Sequence, residues 1–256
     1  MLLTVDVGNT HIRLGVFPAD GGPLERTWSM RTSPAVTSDE LALTIRGLLG
    51  DCAEQLAGIS AMSVVPSVTG ELRRMASCYW PDLRSVVVAP GVKTGVPLKV
   101  DNPREVGSDR VVNALAAHSL FEGPVVVVDV DTATTVDAVS ADGELLGGAI
   151  APGIDISVDA LADRAAALRK IEVVRPRSAL GKNTVAALQA GIVIGFAGQI
   201  DALVDRLRID VPDLGEASVV LTGLRADVVA AESRTITDVE PDLALEGLRL
   251  VFEKDA

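Results

Sequence analysis

The pattern of apolar and polar residues starts twice in the same way. Residues 125–128 are four valines, which predict a strand buried on both faces, and Asp129 closes the run with a carboxylate. Near the N-terminus the mostly apolar residues 2–5 are closed by Asp6, and after a polar turn residues 12–16 alternate between apolar and other side chains. The repetition predicts one strand–turn–strand unit used twice, and we hypothesise that the two turns hold a phosphate chain.

Helical and strand patterns alternate after each of these units. Thr37 and Glu40 fit a capping box that opens the first helix, and Gly50 ends it. The chain is therefore predicted to be an α/β protein with two domains, residues 1–117 and 118–256, without a disordered linker. Beyond the two repeated units the pattern predicts strands at 25–31, 59–65, 85–89, 144–150, 218–222 and near 235. Besides the helix between Thr37 and Gly50, it predicts helices at 67–80, 106–121, 154–168, 184–208, 225–231 and 241–254.

Composition and charge exclude several classes of function. The 256 residues are 48% hydrophobic and 23% charged, which is typical of a soluble globular protein, and the formal net charge of −12 argues against nucleic acid or an anionic membrane as partner. The apolar stretch at 190–198 is too short to span a bilayer, and the start of the chain lacks the features of a signal peptide. Cys52 and Cys78 have no metal-binding or redox spacing. We therefore expect a cytoplasmic protein.

The two turns are the first candidates for chemistry. Gly8 allows close backbone approach, so the amides of Asn9 and Thr10 could face a phosphate while Asp6 orients a magnesium-bound water. In the second turn Asp129 is a candidate cation ligand, and Thr132 offers a hydroxyl to a phosphate or a cation. The alternatives are an ordinary hairpin turn in the first case and a solvent-facing strand end in the second.

A third candidate is the stretch 102–110, where an acid and a base open an amphipathic helix. Asp109 could accept a proton from a substrate hydroxyl, and Arg110 could bind a substrate carboxylate in a bidentate manner. For an isolated stretch, the alternative is a helix start with charges on its exposed face. In the helix at 184–208, three glycines at 191, 195 and 198 share one face, which suits either packing within the monomer or a subunit interface.

Taken in order, these stretches resemble type III pantothenate kinase, a family of the actin–Hsp70–hexokinase superfamily. The resemblance covers nearly the whole chain, and several motifs in one order are more specific than any single motif. The matching stretches are Asp6–Thr10, Arg31–Thr32, Thr37–Glu40, Ser63–Val68, Asp101–Arg110 with Asn113, Asp129–Asp137, Leu146–Gly153, and Gly181–Thr184 with Gly191.

The resemblance implies a fold, an activity and partners. The fold would be two ribonuclease-H-like (actin-like ATPase) domains with ATP in a central cleft between them. The activity would be ATP-dependent phosphorylation of pantothenate to 4'-phosphopantothenate, the first step of coenzyme A biosynthesis. Mg²⁺ and a monovalent cation, K⁺ or NH4⁺, would be required, and a homodimer interface would help to build the pantothenate pocket.

The resemblance also implies roles for individual residues. Asp109 is expected to be the catalytic base, and Asp129 the ligand of the monovalent cation. The expected pantothenate contacts are Gly107, Arg110 and Thr184. The expected nucleotide contacts are Asp6 (also near Mg²⁺), Val7, Gly8, Asn9, Thr10, Thr132 and Gly223.

Two positions depart from the family pattern. Asp131 and Leu224 stand where the family has glycines near the nucleotide. A carboxylate at 131 would repel a phosphate charge about 4 Å away by roughly 4 kcal/mol at an effective dielectric constant near 20. An alternative is therefore a catalytically impaired relative that acts by binding or regulation. A kinase with a changed substrate is less favoured, because Gly107, Asp109 and Arg110 are all present.

Overall fold

The structure, a computed structural model, describes residues 1–19, 21–89, 92–165 and 170–254. Packing divides the chain into two units, one of Met1–Val96, Asp101–Ala116 and Leu243–Ala256, and one of Pro97–Val100 and Ala117–Asp242. Within the described ranges the strands and α-helices are β1 (Leu2–Val7), β2 (His11–Phe17), β3 (Arg26–Arg31), α1 (Ser38–Leu49), β4 (Gly58–Ser63), α2 (Pro66–Tyr79), β5 (Arg84–Val88), α3 (Ser108–Leu120), β6 (Val125–Val130), β7 (Ala133–Val139), β8 (Leu145–Pro152), α4 (Ile154–Arg164), α5 (Thr184–Asp210), β9 (Ser218–Thr222), α6 (Ala226–Ala230), β10 (Asp238–Val239) and α7 (Leu243–Lys254).

The first unit contains a five-stranded mixed sheet in the order β3-β2-β1-β4-β5. β1 pairs antiparallel with β2 and parallel with β4. Because side chains alternate along a strand, one face carries the odd residues of β1 with their β2 partners, and this face packs on α1 and α2. The predicted capping box of α1 is confirmed, since Thr37 Oγ1 accepts from the Glu40 amide and Glu40 Oε2 accepts from the Thr37 amide.

The opposite face of this sheet changes from apolar to charged along the strands. Its rows, read from the β1–β2 register, pair Leu2 with Phe17, then Thr4 with Gly15, and then Asp6 with Arg13. The apolar row is covered by Leu245 of α7. The charged row stands at the carboxyl end of β1, beside the turn into β2.

The second unit repeats this architecture. Its sheet has the order β10-β9-β6-β7-β8, with β6 antiparallel to β7 and parallel to β9, and β7 antiparallel to β8. Read from β8, this is the same order as in the first unit, so the predicted duplication and the α/β fold with ribonuclease-H-like topology are confirmed. The even residues of β6 (Val126, Val128 and Val130) pack with α4, α5 and α6 in one apolar cluster.

The last helix belongs with the first unit, although residues 118–256 were predicted to form the C-terminal domain. The packing of α7 explains this difference. Ala244, Leu248 and Val251 share a cluster with Met62 of β4, and Ser60 Oγ donates to the Leu248 carbonyl at 2.7 Å. The chain passes from the first unit to the second after Ala116.

The strand predicted near Thr235 forms later, at β10, because residues 233–235 bind a buried carboxylate. Asp201 of α5 is 7% exposed and accepts hydrogen bonds from Ser233 Oγ at 2.6 Å and Thr235 Oγ1 at 2.7 Å. The backbone amides of Arg234 and Thr235 also donate to this carboxylate, at 3.2 and 3.1 Å. Burial alone would raise the pKa of Asp201, but these hydrogen bonds outweigh it and hold the pKa below its ordinary value.

α5 is the one helix in the described ranges that is long and apolar enough to cross a membrane by length and composition. It carries a buried face with Ile192, Val193, Ala197 and Ile200, which packs in the apolar cluster of the second unit. Core helices of soluble proteins have the same length and composition, so these features do not distinguish a membrane-spanning helix from a core helix.

Candidate active site

The turn between β1 and β2, residues 6–10, is held by its neighbours on all sides. The Gly8 amide donates to the His11 carbonyl at 2.9 Å, and Thr32 Oγ1 donates to the Gly8 carbonyl at 2.8 Å. The Thr32 amide donates to the Thr10 carbonyl at 2.9 Å, and the Val64 amide to the Val7 carbonyl at 3.0 Å. These bonds fix the backbone and leave Asn9 and Thr10 exposed at its tip. We call residues 6–10 the first corner.

Arg13 lies directly opposite Asp6 in the β1–β2 ladder and was missed from the sequence. Directly opposed residues have Cβ atoms about 4.5–5.5 Å apart and point to the same face of the sheet. The missed signal was the register of the hairpin, which pairs Asp6 with the residue seven positions later once the turn length is known. A cation therefore stands beside the carboxylate of the first corner.

Asp109 lies in the first turn of α3, and Gly107 makes room for it. A Cβ at position 107 would collide with Asp109 Oδ1. Burial raises the pKa of Asp109 above its ordinary value, although the Arg110 amide and guanidinium act in the opposite direction. A carboxyl group with a raised pKa in a half-buried position is typical of a general base.

The helix that carries Asp109 packs on the same sheet face as Asp6. Val112 and Leu115 of α3 belong to one apolar cluster with Met62 of β4, and Met62 is the direct ladder neighbour of Asp6. Asn113, one turn after Asp109, is 3% exposed. The first unit thus packs α3, the helix that carries Asp109, on the sheet face where Asp6 and Arg13 stand.

The turn between β6 and β7, residues 129–133, is enclosed by two glycines of the second unit. The Gly153 amide donates to the Thr132 carbonyl at 3.0 Å, and a Cβ at 153 would collide with the carbonyls of Asp131 and Thr132. A Cβ at Gly223 would lie 2.5 Å from the Val130 carbonyl oxygen and 2.6 Å from Asp129 Oδ1. We call residues 129–133 the second corner; its packing brings Asp129, Thr132 and Gly223 together.

Asp131 adopts ordinary backbone geometry in this corner. No residue other than glycine has a positive φ in the described ranges, and the Asp131 amide donates to the Ala133 carbonyl at 3.0 Å. The backbone here does not demand glycine, so an aspartate at 131 costs no conformational strain. Leu224, the other departure, is 39% exposed and follows Gly223, whose φ is +102°.

Hydroxyl groups flank Asp129 in the sheet and were also missed from the sequence. Asp129 pairs with Thr135 on one side and with Thr222 on the other, and these threonines are 9% and 3% exposed. Carboxylate and hydroxyl oxygens are ligands that hard cations accept. Within the described ranges no three His, Cys, Asp or Glu side chains cluster as a metal site, so a cation at Asp129 would take most of its ligands from hydroxyls, carbonyls or water.

An ion pair joins the first turn of α4 to the residue that precedes α6. Arg225 donates to both carboxylate oxygens of Asp155, at 3.2 Å from Nε and 2.9 Å from Nη2. Asp155 follows Gly153, and the Arg225 amide donates to the Val130 carbonyl at 3.3 Å. Neither residue was predicted, because the pair joins elements that are far apart in the chain.

Thr184 is exposed as the first residue of α5, after Asn183, whose side chain caps the helix by accepting from the Ala186 amide at 2.9 Å. Further along α5, a Cβ at position 191, 195 or 198 would meet nothing within 4 Å in the described part of the chain. The glycines are therefore exposed and do not serve packing within the second unit. Gly191 and Gly195 border a groove of about 340 Å³ lined by Pro152, Leu161 and Phe196.

Residues 2–206 match the family model for type III pantothenate kinase. The chain belongs to the type III pantothenate kinase family. A type III pantothenate kinase from Rhodococcus erythropolis is 58% identical over 259 residues, covering all of this chain and 96% of the relative. One from Saccharopolyspora erythraea is also 58% identical, over 262 residues, covering all of this chain and 99% of the relative.

Solved structures of low identity share the fold of this family member. The inorganic polyphosphate/ATP-glucomannokinase from an Arthrobacter species superimposes with a TM-score of 0.56 at 14% identity, covering 100% of this chain and 99% of that one. Component A of (R)-2-hydroxyglutaryl-CoA dehydratase from Acidaminococcus fermentans gives a TM-score of 0.59 at 16% identity, covering 100% and 99%. These likenesses concern the two-domain actin-like ATPase fold alone.

Proposed function

We propose that this protein phosphorylates pantothenate to 4'-phosphopantothenate at the expense of ATP. The observation that carries the proposal is Asp109, a carboxyl group of raised pKa on a helix that packs against the sheet face of Asp6, in a chain that is 58% identical to type III pantothenate kinases over its full length. The product would be the first intermediate on the route to coenzyme A. No observation favours the impaired relative, since Asp131 causes no backbone strain.

In the proposed reaction Asp109 accepts the proton of the pantothenate hydroxyl while that oxygen attacks the γ-phosphorus of ATP. The bond from the γ-phosphorus to the bridging β,γ-oxygen breaks, and ADP leaves with that oxygen. Arg110 binds the pantothenate carboxylate, with Gly107 and Thr184 as further substrate contacts. Phosphoryl transfer depends mainly on positioning and charge neutralisation, which suits a turn that is held by backbone hydrogen bonds and has the exposed residues Asn9 and Thr10 at its tip. The remaining proposed nucleotide contacts are Asp6, Val7, Gly8, Thr132 and Gly223.

Two cations complete the proposal. Mg²⁺ would lie near Asp6 and neutralise phosphate charge. K⁺ or NH4⁺ would lie at Asp129, where the hydroxyls of Thr135 and Thr222 flank the carboxylate in the ladder. Since this set contains a single carboxylate, it suits a monovalent ion better than a divalent one.

We further propose a cytoplasmic homodimer. The support for the dimer is the exposed glycine stripe of α5 beside an apolar groove, together with the exposure of Ile150 on the edge strand β8, which is 65%. Small residues allow a second helix to approach closely, and contiguous exposed apolar surface marks association sites. Sedimentation equilibrium of the purified chain would test the dimer; a monomer at micromolar concentration would refute it.

The activity is tested by incubating the purified protein with ATP, Mg²⁺, K⁺ and pantothenate and following phosphopantothenate by mass spectrometry. We expect product with the native chain and about a 10²- to 10⁴-fold loss with Asp109→Asn, since that variant removes the base and keeps the shape. Asp39→Asn, on the exposed start of α1, is the matched control and should keep activity. Absence of product from the native protein would refute the proposal, and full activity of Asp109→Asn would refute the role of Asp109.

The Asp131→Gly variant separates an active kinase from an impaired one. If the carboxylate at 131 faces the phosphates, glycine there should lower the KM for ATP while the fold is unchanged. If the native protein is inactive and Asp131→Gly restores turnover, the impaired relative is the correct interpretation. A native enzyme whose KM for ATP is unaffected by Asp131→Gly would show that the carboxylate does not face the phosphates.

A further inference from the structure

A cavity of about 280 Å³ opens in the first unit, at the end of the sheet opposite the first corner. It is bordered by the first residues of β1, β4 and β5, by the loop after β2 and by the last turn of α7, with Leu2, Gly58, Arg84, Pro18 and Phe252 in its wall. β1 runs from this end towards the first corner, and its six residues span about 17 Å. We call this space the distal cavity, and it lies outside the site described above.

The aromatic part of the wall is held in place by its neighbours. A Cβ at Gly58 would collide with the ring of Phe252, so the glycine makes room for that ring beside β4. The guanidinium carbon of Arg84 lies 4.1 Å from the ring centroid, and Arg84 Nη2 donates to the Phe252 carbonyl at 2.6 Å. Such stacking of a guanidinium on an aromatic ring is attractive. The cavity therefore has an aromatic wall whose position is fixed by contacts within the protein.

The charged groups in the wall already have partners within the protein. Arg249 donates to Glu253 Oε1 at 2.6 Å and to Glu246 Oε2 at 3.0 Å. The Met1 amino group donates to a backbone carbonyl at 2.7 Å, and Arg84 is bonded as described above. A charged ligand would have to compete with these partners, whereas an uncharged one leaves them intact. Charge complementarity therefore favours an uncharged ligand.

The volume of the cavity indicates the size of that ligand. An apolar cavity of about 150 Å³ is sufficient to bind benzene, so a volume nearly twice as large has room for two fused rings. Water in such a cavity has few polar partners, because the polar groups of the wall are bonded to one another or to the backbone. Replacement of that water by an apolar ligand is then favourable.

We propose that the distal cavity is a second binding site, which takes a small, uncharged, two-ring aromatic molecule of the size of indole. The rings of this ligand lie against Leu2, Ala57 and Phe252, which line the cavity. Because the first corner is at the other end of β1, the ligand does not reach the residues proposed to bind ATP. The ligand and ATP therefore bind at the same time, and the proposal does not depend on the kinase function.

The test is a ligand-observed NMR titration of the full chain with indole, in which we expect saturable binding with a dissociation constant of about 0.1–1 mM. Ala57→Phe and Ala19→Phe each fill the cavity from an exposed position in its wall, and each should weaken binding roughly tenfold or more. Ala35→Phe, at an exposed position that does not line the cavity, is the matched control and should bind indole as the native protein does. The thermal midpoints of the three variants without ligand report whether each is folded.

Two further titrations test the position and the charge of the ligand. Saturating ATP with Mg²⁺ should leave the dissociation constant of indole unchanged, and displacement of indole by ATP would place it in the wrong site and overturn the proposal. Indole-3-acetate and tryptamine should bind no more tightly than indole, and a charged relative that bound about tenfold more tightly would refute an uncharged ligand.

The remaining outcomes also decide the proposal. The absence of saturable indole binding to the native protein would overturn it, and so would equal binding to the native protein and to a folded Ala57→Phe or Ala19→Phe variant. Sedimentation equilibrium tests a different occupant of the cavity. If the native protein is a dimer and the filled variants are monomers, a second copy of the chain covers the cavity and the small-molecule site is refuted.

Discussion

Replacing Gly223 by alanine tests the packing that holds the second corner together. Gly223 has a φ of +102°, a region that residues with a Cβ rarely adopt. The new Cβ would lie 2.5 Å from the Val130 carbonyl oxygen and 2.6 Å from Asp129 Oδ1. One of these contacts is with backbone, so the corner itself must move to relieve it.

The size of the effect follows from two costs. Unfavourable backbone geometry costs about 1–3 kcal/mol, and overpacking at a well-packed position costs about another 1–3 kcal/mol. The sum, roughly 2–6 kcal/mol, corresponds to a fall in thermal midpoint of about 4–24 °C at ~2–4 °C per kcal/mol for a chain of this size. If K⁺ lies at Asp129 as proposed, displacement of that carboxylate should weaken activation by K⁺ together with stability.

The assay is thermal and urea unfolding of Gly223→Ala, combined with turnover at increasing K⁺ concentrations. Gly47→Ala is the matched control: Gly47 lies within α1, a Cβ there would meet nothing within 4 Å, and alanine should stabilise the helix by up to about 1 kcal/mol. If Gly223→Ala has the same thermal midpoint as the native protein and its turnover depends on K⁺ concentration in the same way, the second corner is not held as we infer.

Three further predictions concern the two units separately. Asp201→Asn should destabilise the protein by about 3 kcal/mol, because the side-chain amide has one accepting oxygen where the buried carboxylate has two. Since the pKa of Asp201 is lowered in the folded state, the native protein should lose this contribution as the pH falls below the ordinary value of 3.8. The acid-unfolding curves of the native protein and the variant should therefore converge below that pH. If Asp109 is the base, turnover should fall on acidification with a midpoint above pH 3.8, because the pKa of Asp109 is raised in the folded protein. A pH–rate profile that is flat from about pH 7 to 4 would contradict this role. Arg225→Ala should change stability by less than ~1 kcal/mol, since both partners of the ion pair are partly exposed, but it should raise the KM for ATP several-fold because the second corner is held less firmly. Asp155→Asn should have the same effects, and the double variant should have a KM no higher than that of either single variant. If the effects of the two single variants on KM add in the double variant, the pair does not act as one unit.

Local patterns were sufficient to predict most of the secondary structure. The valine run of β6, the capping box of α1 and the apolar stretch of α5 each depend on residues close together in the chain, and the structure has all three. The duplicated unit was also predictable, because Asp6 and Asp129 end similar apolar runs. Even the positions expected to carry the chemistry could be named, since each belongs to a short contiguous motif.

Pairings between distant residues could not be predicted in this way. The Asp201 carboxylate binds residues 233–235, where a strand was expected, and Arg225 before α6 pairs with Asp155 in the first turn of α4. The return of α7 to the first unit likewise depends on the fit of Leu245 against Leu2 and Phe17. Such contacts depend on shape and hydrogen-bond geometry in the folded chain. They therefore produce no periodic pattern in the sequence.

The chain by itself thus determined the order of strands and helices, the two acidic turns and the family, because these are encoded in local periodicity and short motifs. Only the tertiary structure decided which side chains stand beside those turns. Arg13 was located beside Asp6 by its register, and Thr135 and Thr222 beside Asp129 by theirs. The physical reason is that a β-ladder makes neighbours of residues on different strands, and its register is set by turn length and core packing together.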